Sequence, residues 1–407
     1  MSFDMREEKT EEQHTYCPGS HGRNLLQDFV SILCLCFVIF SADLVSAQGN
    51  IHIGQLRIHP FFSVTDAFSD NIYFTSTDGK RDSYVAYMPG IKLELPMRQH
   101  KAEVQYYSLA TRYETFQGED TTDHTAKGMV NLKLGRLFEA RFSDAFVKGH
   151  EGRSASATGF VQTFRNNTAS ASLIYQLMNR SKVEFGFSRS TWDFIQSESE
   201  FRNRDENLFS GYLYYRFLPK TSAFIEIDQK KIEYEFSTLL DNIVNTHQFG
   251  LTWEISENSR GTIKGGLLKK DFESPLLQDY SGSTGSIDFQ HRFSRYASLT
   301  VLGERTINET KLQNTRYFIT TGAYGEFTFR VFSKLAATAR GSYGKDEFSD
   351  PVPPREDRTR MGGAALKYSI RDWLEIEGGY SNRKRTSNFP VNDYIEHSYT
   401  ISASAIF

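Results

Sequence analysis

Apolar and polar side chains alternate along nearly the whole chain after Gln55, and this alternation constrains the fold more than any other feature. In residues 247–255, for example, Phe249, Leu251 and Trp253 share one parity, and mostly polar residues lie between them. Successive side chains of a β-strand point to opposite faces, so each such segment has one apolar and one polar face. The sequence therefore predicts a chain made mainly of long, two-faced strands.

Eighteen such segments can be counted, and the connections between them alternate between short and long. The predicted strands are residues 55–68, 82–95, 100–116, 122–135, 138–149, 166–178, 181–194, 204–218, 221–236, 245–256, 260–272, 279–293, 296–308, 314–331, 334–347, 357–370, 373–386 and 393–407. A regular alternation of connection length is typical of hairpins whose two ends face different compartments.

A bilayer offers no water to unpaired backbone groups, so a sheet that spans it has to close on itself. The predicted fold is all-β: a single antiparallel transmembrane β-barrel of about eighteen strands, with short periplasmic turns and longer outer loops. An even number of strands returns both ends of the barrel to the periplasmic side. The predicted location is the bacterial outer membrane.

Composition excludes several other classes of protein. Aromatic residues make up 14% of the chain, which is too many for a disordered protein. No run of 18 apolar residues occurs, so a bundle of membrane helices is excluded. The net charge of −3 argues against a strongly basic nucleic-acid binder, and three cysteines are too few for a disulfide framework.

The first fifty residues resemble an export signal. Residues 29–40 (FVSILCLCFVIF) are apolar but shorter than the roughly 20 residues of a membrane-spanning helix. Arg23 precedes this run, and residues 45–47 (VSA) follow it with the spacing of a signal-peptidase site. We predict a signal peptide with its N-terminal extension in residues 1–47 and the barrel in residues 48–407. A buried helix or a membrane anchor is the alternative.

Charged residues recur on the polar faces, which point into the lumen of a barrel. The predicted lumen-lining residues are Lys92, Glu94, Glu103, Lys133, Glu184, Arg216, Glu254, Arg330, Glu375 and Glu377. Both signs are mixed, which fits either a mutually paired, unselective wall or a weakly selective water-filled channel. Tyrosines also occur on these faces, namely Tyr84, Tyr107, Tyr113, Tyr212, Tyr214 and Tyr324. They could stack on sugar rings, belong to the interfacial girdle or fill space.

The last strand carries an assembly signal. Tyr399, Ile401 and the terminal Phe407 share one parity of an alternating segment. This pattern is typical of the C-terminal strand that directs bacterial outer-membrane barrels to their assembly machinery, although an ordinary edge strand could also end in Phe.

We find no pattern that indicates an enzyme, and we predict no catalytic residue, metal site or cofactor. Asp144, His150 and Ser154 lie within one hairpin, but their spacing defines no catalytic triad. The Asp-rich segments 66–70 and 346–350 lack EF-hand spacing, so solvated loops are the better interpretation.

Residues 57–95 resemble the opening hairpin of the putative β-barrel porin 2 family. The matching elements are residues 59–60 (HP), 70–73 (DNIY) and 89–91 (PGI), followed by a compatible strand in residues 100–116. Members of this family often accompany exopolysaccharide export systems. The resemblance therefore implies an outer-membrane barrel that takes part in polysaccharide passage, and it implies no catalytic residues.

The leading prediction is an outer-membrane pore that serves passage or secretion of exopolysaccharide. Its expected partners are outer-membrane lipid, the barrel assembly machinery, polysaccharide and periplasmic polysaccharide-export proteins, with no nucleic acid. The alternatives are a general diffusion porin for small solutes, a plugged barrel with a structural or assembly role and, more distantly, an outer-membrane hydrolase.

If the signal peptide is cleaved as predicted, the mature protein begins at Gln48. N-terminal sequencing of the chain purified from an outer-membrane fraction measures this directly. A purified chain that keeps residues 29–40 would show that the apolar run is an anchor or a helix rather than a signal.

Overall fold

Backbone hydrogen bonds join eighteen long antiparallel strands into one closed ladder. The computed structural model describes residues 51–152, 161–256, 258–313, 315–350 and 353–407, so the predicted signal peptide lies outside the described residues. The last strand pairs with the first long strand, from Ser398 opposite Ser69 to Ile406 opposite Phe61. This pairing closes the sheet and confirms the predicted barrel.

The strands follow one another around the wall in chain order. A short strand β1 (Ile51–Ile53) pairs with the start of β2. The barrel strands are β2 (Leu56–Ser69), β3 (Asp82–Met97), β4 (His100–Tyr113), β5 (Thr121–Leu134), β6 (Phe138–Glu151), β7 (Gln162–Met178), β8 (Ser181–Phe194), β9 (Arg204–Leu218), β10 (Thr221–Tyr234), β11 (Asn242–Ser256), β12 (Ser259–Phe272), β13 (Tyr280–Arg292), β14 (Ala297–Glu309), β15 (Tyr317–Arg330), β16 (Leu335–Phe348), β17 (Glu356–Arg371), β18 (Leu374–Ser387) and β19 (Tyr394–Ile406). The predicted count of eighteen is confirmed, and the predicted bounds differ by at most four residues.

Short turns close one end of the barrel and longer loops close the other, as predicted. In the described parts of the long loops there are four short 3₁₀ helices, at Gln117–Glu119, Ser197–Arg202, Thr238–Leu240 and Pro390–Asn392. No helix in the described ranges is long and apolar enough to cross a membrane. In outer-membrane barrels the short turns face the periplasm, which orients the molecule.

The two faces of the wall differ sharply in chemistry. In β10, Ile225 and Ile227 are 50% and 53% exposed, whereas the alternate residues Phe224 and Glu226 are almost fully buried. Exposed apolar side chains on one face of a closed membrane barrel contact lipid, so this face is the outer one and the face of Glu226 is the inner one. Exposed tyrosines lie on the same face, among them Tyr87 at 39% and Tyr215 at 52%, as expected for the aromatic girdles of such a barrel.

The apolar residues of β10 change parity along the strand. Ile225 and Ile227 have one parity and Ile232 and Tyr234 the other, which requires either a bulge near residues 229–231 or an exit from the membrane. The pairing of β10 with β9 and β11 is continuous across this stretch. The strand therefore keeps its phase, and Ile232 and Tyr234 lie on the inner face beyond the apolar band.

The face assignment predicts opposite tolerances to charge within β11. Leu251→Arg places a cation on the lipid face and should destabilise the barrel by roughly 2–4 kcal/mol if it lies near the midplane. Glu254→Arg, on the inner face, should leave folding nearly unchanged because water already solvates that face. Denaturant titration in micelles measures both, and a larger loss of stability for Glu254→Arg would mean that the faces are inverted.

Candidate functional site in the barrel lumen

The ladder places all ten predicted lumen residues on the inner face. Lys92 and Glu94 of β3 form an ion pair with a 2.7 Å distance between Nζ and Oε1, and Glu103 of β4 lies opposite Glu94. The other seven are Lys133, Glu184, Arg216, Glu254, Arg330, Glu375 and Glu377, whose strand parities match those of their inner-face neighbours. That they line a conducting, water-filled channel stays a prediction.

Ion pairs connect many of these charges around the wall. Lys101 Nζ lies 2.8 Å from Glu103 Oε2, and Lys367 Nζ lies 3.2 Å from Glu375 Oε2. Arg340 Nη2 lies 3.5 Å from Glu377 Oε1. Cations and anions thus neutralise each other locally, and the described inner face carries no ring of one sign that would select ions by charge.

The most buried inner-face carboxylate belongs to a small polar cluster on β9, β10 and β12. Glu226 is 2% exposed, and Lys264 Nζ donates to both of its carboxylate oxygens at 2.7 Å. The Tyr212 hydroxyl donates to Glu226 Oε1 at 3.0 Å. Because the carboxylate has a cation and a hydroxyl donor, its burial is compensated and the cluster stiffens the wall at this height.

Aromatic rings also lie on the inner face, including all six tyrosines singled out from the sequence. Tyr212 and Tyr214 stack with centroids 5.9 Å apart, and Phe224 packs 5.2 Å from Tyr214. Phe224 lies over Gly250, where an added Cβ would come within 2.3 Å of the ring. Glycine is therefore required there by close approach, and it lets the ring lie flat against the backbone of the next strand.

The barrel wall opens between β13 and β14 at its outer end. Their pairing runs from Arg292 opposite Ser298 only as far as Gly285 opposite Arg305. Beyond that rung, β13 stays paired with β12, and β14 stays paired with β15. The two sides of the wall therefore follow different paths above Gly285.

The outer part of the β14–β15 hairpin enters the lumen. We call this segment, residues 306–313 and 315–320, the inner hairpin. By parity Ile307 and Tyr317 belong to the outer face, yet both are 8% exposed and share one apolar cluster with inner-face residues. The inner-face members are Ile232, Tyr234, Val244, Leu268 and Phe272. Because these residues point into the lumen, the hairpin that covers them lies inside the barrel.

A buried ion pair holds the inner hairpin to the wall. Lys270 Nζ of β12 lies 2.5 Å from Glu309 Oε1 of β14, and their side chains are 0% and 6% exposed. The Tyr234 hydroxyl donates to the other oxygen of Glu309 at 2.7 Å. The sequence analysis did not identify Lys270 or Glu309, and the only signal for this packing was the mixed parity of residues 225–236.

A further ion pair joins the inner hairpin to the loop between β16 and β17. Arg316 Nε donates to Asp350 Oδ2 at 2.9 Å, and Ser349 Oγ donates to the same oxygen at 2.8 Å. Burial alone would raise the pKa of Asp350, but these donors and the charge of Arg316 hold it below its ordinary value. Asp350 therefore stays ionised and keeps this outer loop attached.

Two of the three residues considered for catalysis, Asp144 and His150, have separate partners. Asp144 accepts from Asn167 Nδ2 at 3.2 Å, whereas His150 Nδ1 pairs with Asp123 at 2.8 Å. Ser154 lies outside the described residues. Within the described ranges no cluster of three or more His, Cys, Asp or Glu side chains could hold a metal ion.

The C-terminal residues lie at the closure of the barrel. Tyr399 and Ile401 are on the outer face, 54% and 38% exposed. The Phe407 ring stacks on Trp373 with centroids 5.3 Å apart, and its N–H donates to the Pro60 carbonyl at 3.0 Å. Their role as an assembly signal stays a prediction.

Removing one partner of the Lys270–Glu309 pair should release the inner hairpin. Glu309→Ala leaves the ammonium buried without a counter-charge, which costs about 3–5 kcal/mol in typical buried pairs. Limited trypsin digestion should then cut faster after Lys311. Glu304→Ala, on the exposed inner face of the same strand, is the matched control, and Lys270→Met with Glu309→Met should restore protection. Equal cutting of wild type and Glu309→Ala would contradict this role.

A comparison with known protein families finds one match. A sequence profile of the family described as "Putative beta-barrel porin 2" matches residues 46–405. No curated protein matches the sequence.

Among solved structures, the chain is similar to three outer-membrane proteins at low sequence identity. Pseudomonas aeruginosa OpdK, crystallised with vanillate, is 7% identical with a TM-score of 0.47, and the alignment covers 86% of this chain and 99% of that one. P. aeruginosa OccK9 (OpdG) is 10% identical (TM-score 0.48; 86% and 98% covered), and Acinetobacter baumannii OccAB4 is 11% identical (TM-score 0.46; 86% and 98% covered). Because the profile spans nearly all of the barrel, the chain belongs to the putative β-barrel porin 2 family of bacterial outer-membrane β-barrels.

Proposed function

We propose that this porin-like barrel is a pore through which exopolysaccharide passes the outer membrane. The observation that carries the proposal is the chemistry of the inner face, where many of the charges are paired and much of the remaining surface consists of hydroxyls and aromatic rings. Such a wall suits a hydrated, hydroxyl-rich polymer better than a small ion.

Rows of small hydroxyl side chains support this proposal. On β19 the inner positions are Ser398, Thr400, Ser402 and Ser404. Ser404 Oγ lies 2.9 Å from Ser63 Oγ across the barrel closure, and Thr168 Oγ1 lies 2.8 Å from Ser190 Oγ. Each hydroxyl both donates and accepts, so such a row can exchange hydrogen bonds with a passing sugar without fixing it in one place.

The aromatic cluster on β9 and β10 adds a second kind of contact. Tyr212, Tyr214 and Phe224 are adjacent on the inner face, and Lys182 Nζ lies 4.1 Å from the Tyr214 ring centroid. The apolar face of a sugar ring packs well on an aromatic ring, and the Tyr212 hydroxyl, which donates to Glu226, can still accept a hydrogen bond. These contacts offer weak, repeated binding, which a polymer needs in order to move on.

A general diffusion porin for small solutes is the second candidate. The balanced, mixed-sign wall favours it, because such a wall excludes neither charge. A plugged barrel is the third, and the inner hairpin favours it because this segment occupies part of the lumen. As expected partners, the periplasmic export proteins and the assembly machinery belong to this proposal.

Electrical recording in planar bilayers tests these functions. If the proposal is right, the wild-type barrel conducts, and neutral dextran oligomers interrupt the current for measurable times. Tyr214→Ala should shorten these interruptions by about twofold, the lower end of what an aromatic contact contributes. Tyr87→Ala, on the lipid face, is the control and should change nothing.

Each alternative gives a different result in this experiment. A general porin conducts, but the duration of the interruptions by dextran then depends only on polymer size and is unchanged by Tyr214→Ala. A plugged barrel shows no current until Glu309→Ala releases the inner hairpin.

A further inference from the structure

Basic residues occupy the short turns at the periplasmic end of the barrel with unusual regularity. The eight turns hold six basic residues, each in a different turn, and two acidic residues, Glu257 and Asp372. The six are Arg98, Arg136, Arg180, Lys220, Arg295 and Lys334, and we call them the basic crown. All six are exposed.

The charges of the basic crown are uncompensated. Among the described residues, no carboxylate lies within ion-pair distance of any of the six. Lys334 Nζ bonds only to the Ile370 carbonyl at 3.2 Å, and the Arg295 guanidinium lies 4.6 Å from the Tyr296 ring centroid. These six side chains are therefore available to an anionic partner.

The opposite end of the barrel is built differently. The nine outer loops hold thirteen acidic and seven basic residues. Several of the basic ones have a carboxylate partner, such as Arg202 with Glu151 at 2.8 Å and Arg316 with Asp350 at 2.9 Å. The barrel is thus basic and unpaired at the periplasmic mouth and acidic at the outer rim, so an anion is attracted at one end and repelled at the other.

The spacing of the crown favours a polymer over a small anion. Neighbouring periplasmic turns are separated by two strands. With a strand spacing of about 4.8 Å and a strand tilt of roughly 40°, these turns are about 12 Å apart. That exceeds the roughly 8 Å screening length at physiological salt, so each cation acts almost alone on a small ion. A polyanion that reaches several turns at once gains affinity from each added contact.

We propose that the basic crown binds an anionic polysaccharide, such as a chain of uronic acids, at the periplasmic mouth of the barrel. The identification of the polyanion as a polysaccharide rests on the proposed function and narrows its substrate class to acidic polymers. The charge asymmetry then gives a direction: the polymer is collected from the periplasm by the crown and released at the acidic outer rim.

Binding to the detergent-solubilised barrel tests this proposal without requiring conduction. The probe is fluorescein-labelled polygalacturonate, followed by fluorescence anisotropy in low salt, and neutral dextran of the same length is the negative probe. The crown variant carries Arg98→Gln, Arg136→Gln, Arg180→Gln, Lys220→Gln, Arg295→Gln and Lys334→Gln. The matched control removes six basic residues near the outer end, with Lys148→Gln, Arg165→Gln, Arg189→Gln, Lys231→Gln, Lys269→Gln and Lys384→Gln.

The crown variant should bind polygalacturonate at least about tenfold more weakly than wild type, because six simultaneous contacts are lost. The control should bind polygalacturonate as wild type does, and dextran, which carries no charge, should bind the crown variant and wild type equally weakly. A version with the four crown arginines changed to lysine should keep its affinity. Folding is checked by heat-modifiable migration in gels, and two triple variants (residues 98, 136 and 180, or 220, 295 and 334) replace the sixfold one if it does not fold.

Wild-type affinity in the folded crown variant would overturn the proposal, as would equal weakening by the control. If the crown affects only insertion into vesicles that contain anionic phospholipid, the crown contacts lipid headgroups and the proposal is wrong. If the barrel binds polygalacturonate but does not conduct, the proposal for the crown is upheld and the proposed pore is refuted. If the barrel conducts but does not bind polygalacturonate, the proposed pore is upheld and the proposal for the crown is refuted.

Discussion

The need to pair every backbone N–H and C=O group inside lipid determines the rest of this structure. A hydrocarbon interior offers no alternative partner, and each unpaired group there costs several kcal/mol. The eighteen strands satisfy this need by pairing in chain order and by joining β19 to β2. Where the ladder is closed, parity decides which side chains face lipid and which face the lumen. Every second residue of each strand therefore contributes to the inner face of the barrel.

That dependence explains why so much could be predicted from the sequence. Alternation is local, so it identifies each strand and its two faces without knowledge of the partners. It assigned Leu251 to the lipid face and Glu254 to the inner face, and the ladder places both as expected. Turn lengths gave the orientation, since the short turns of outer-membrane barrels face the periplasm.

The contents of the lumen could not be predicted in the same way. Parity assigns Glu309 to the outer face, yet it contacts Lys270, which lies two strands away in the ladder. That contact depends on the loss of pairing above Gly285 and Arg305, a property of two strands together. The mixed parity of Ile227 and Ile232 was the one local sign of this packing. It indicated where β10 leaves the membrane, but not which segment covers the inner face there.

The last paired rung between β13 and β14, Gly285 opposite Arg305, also limits how deeply the barrel can sit in the bilayer. Above it the edges of β13 and β14 are no longer paired with each other. Such edges are tolerated in water or against protein, but not against lipid tails. The hydrocarbon boundary on this side of the molecule must therefore lie at or below that rung, whatever the thickness of the surrounding bilayer. A thicker membrane would have to thin locally or tilt the barrel there, so this one seam fixes how deeply the whole protein can sit.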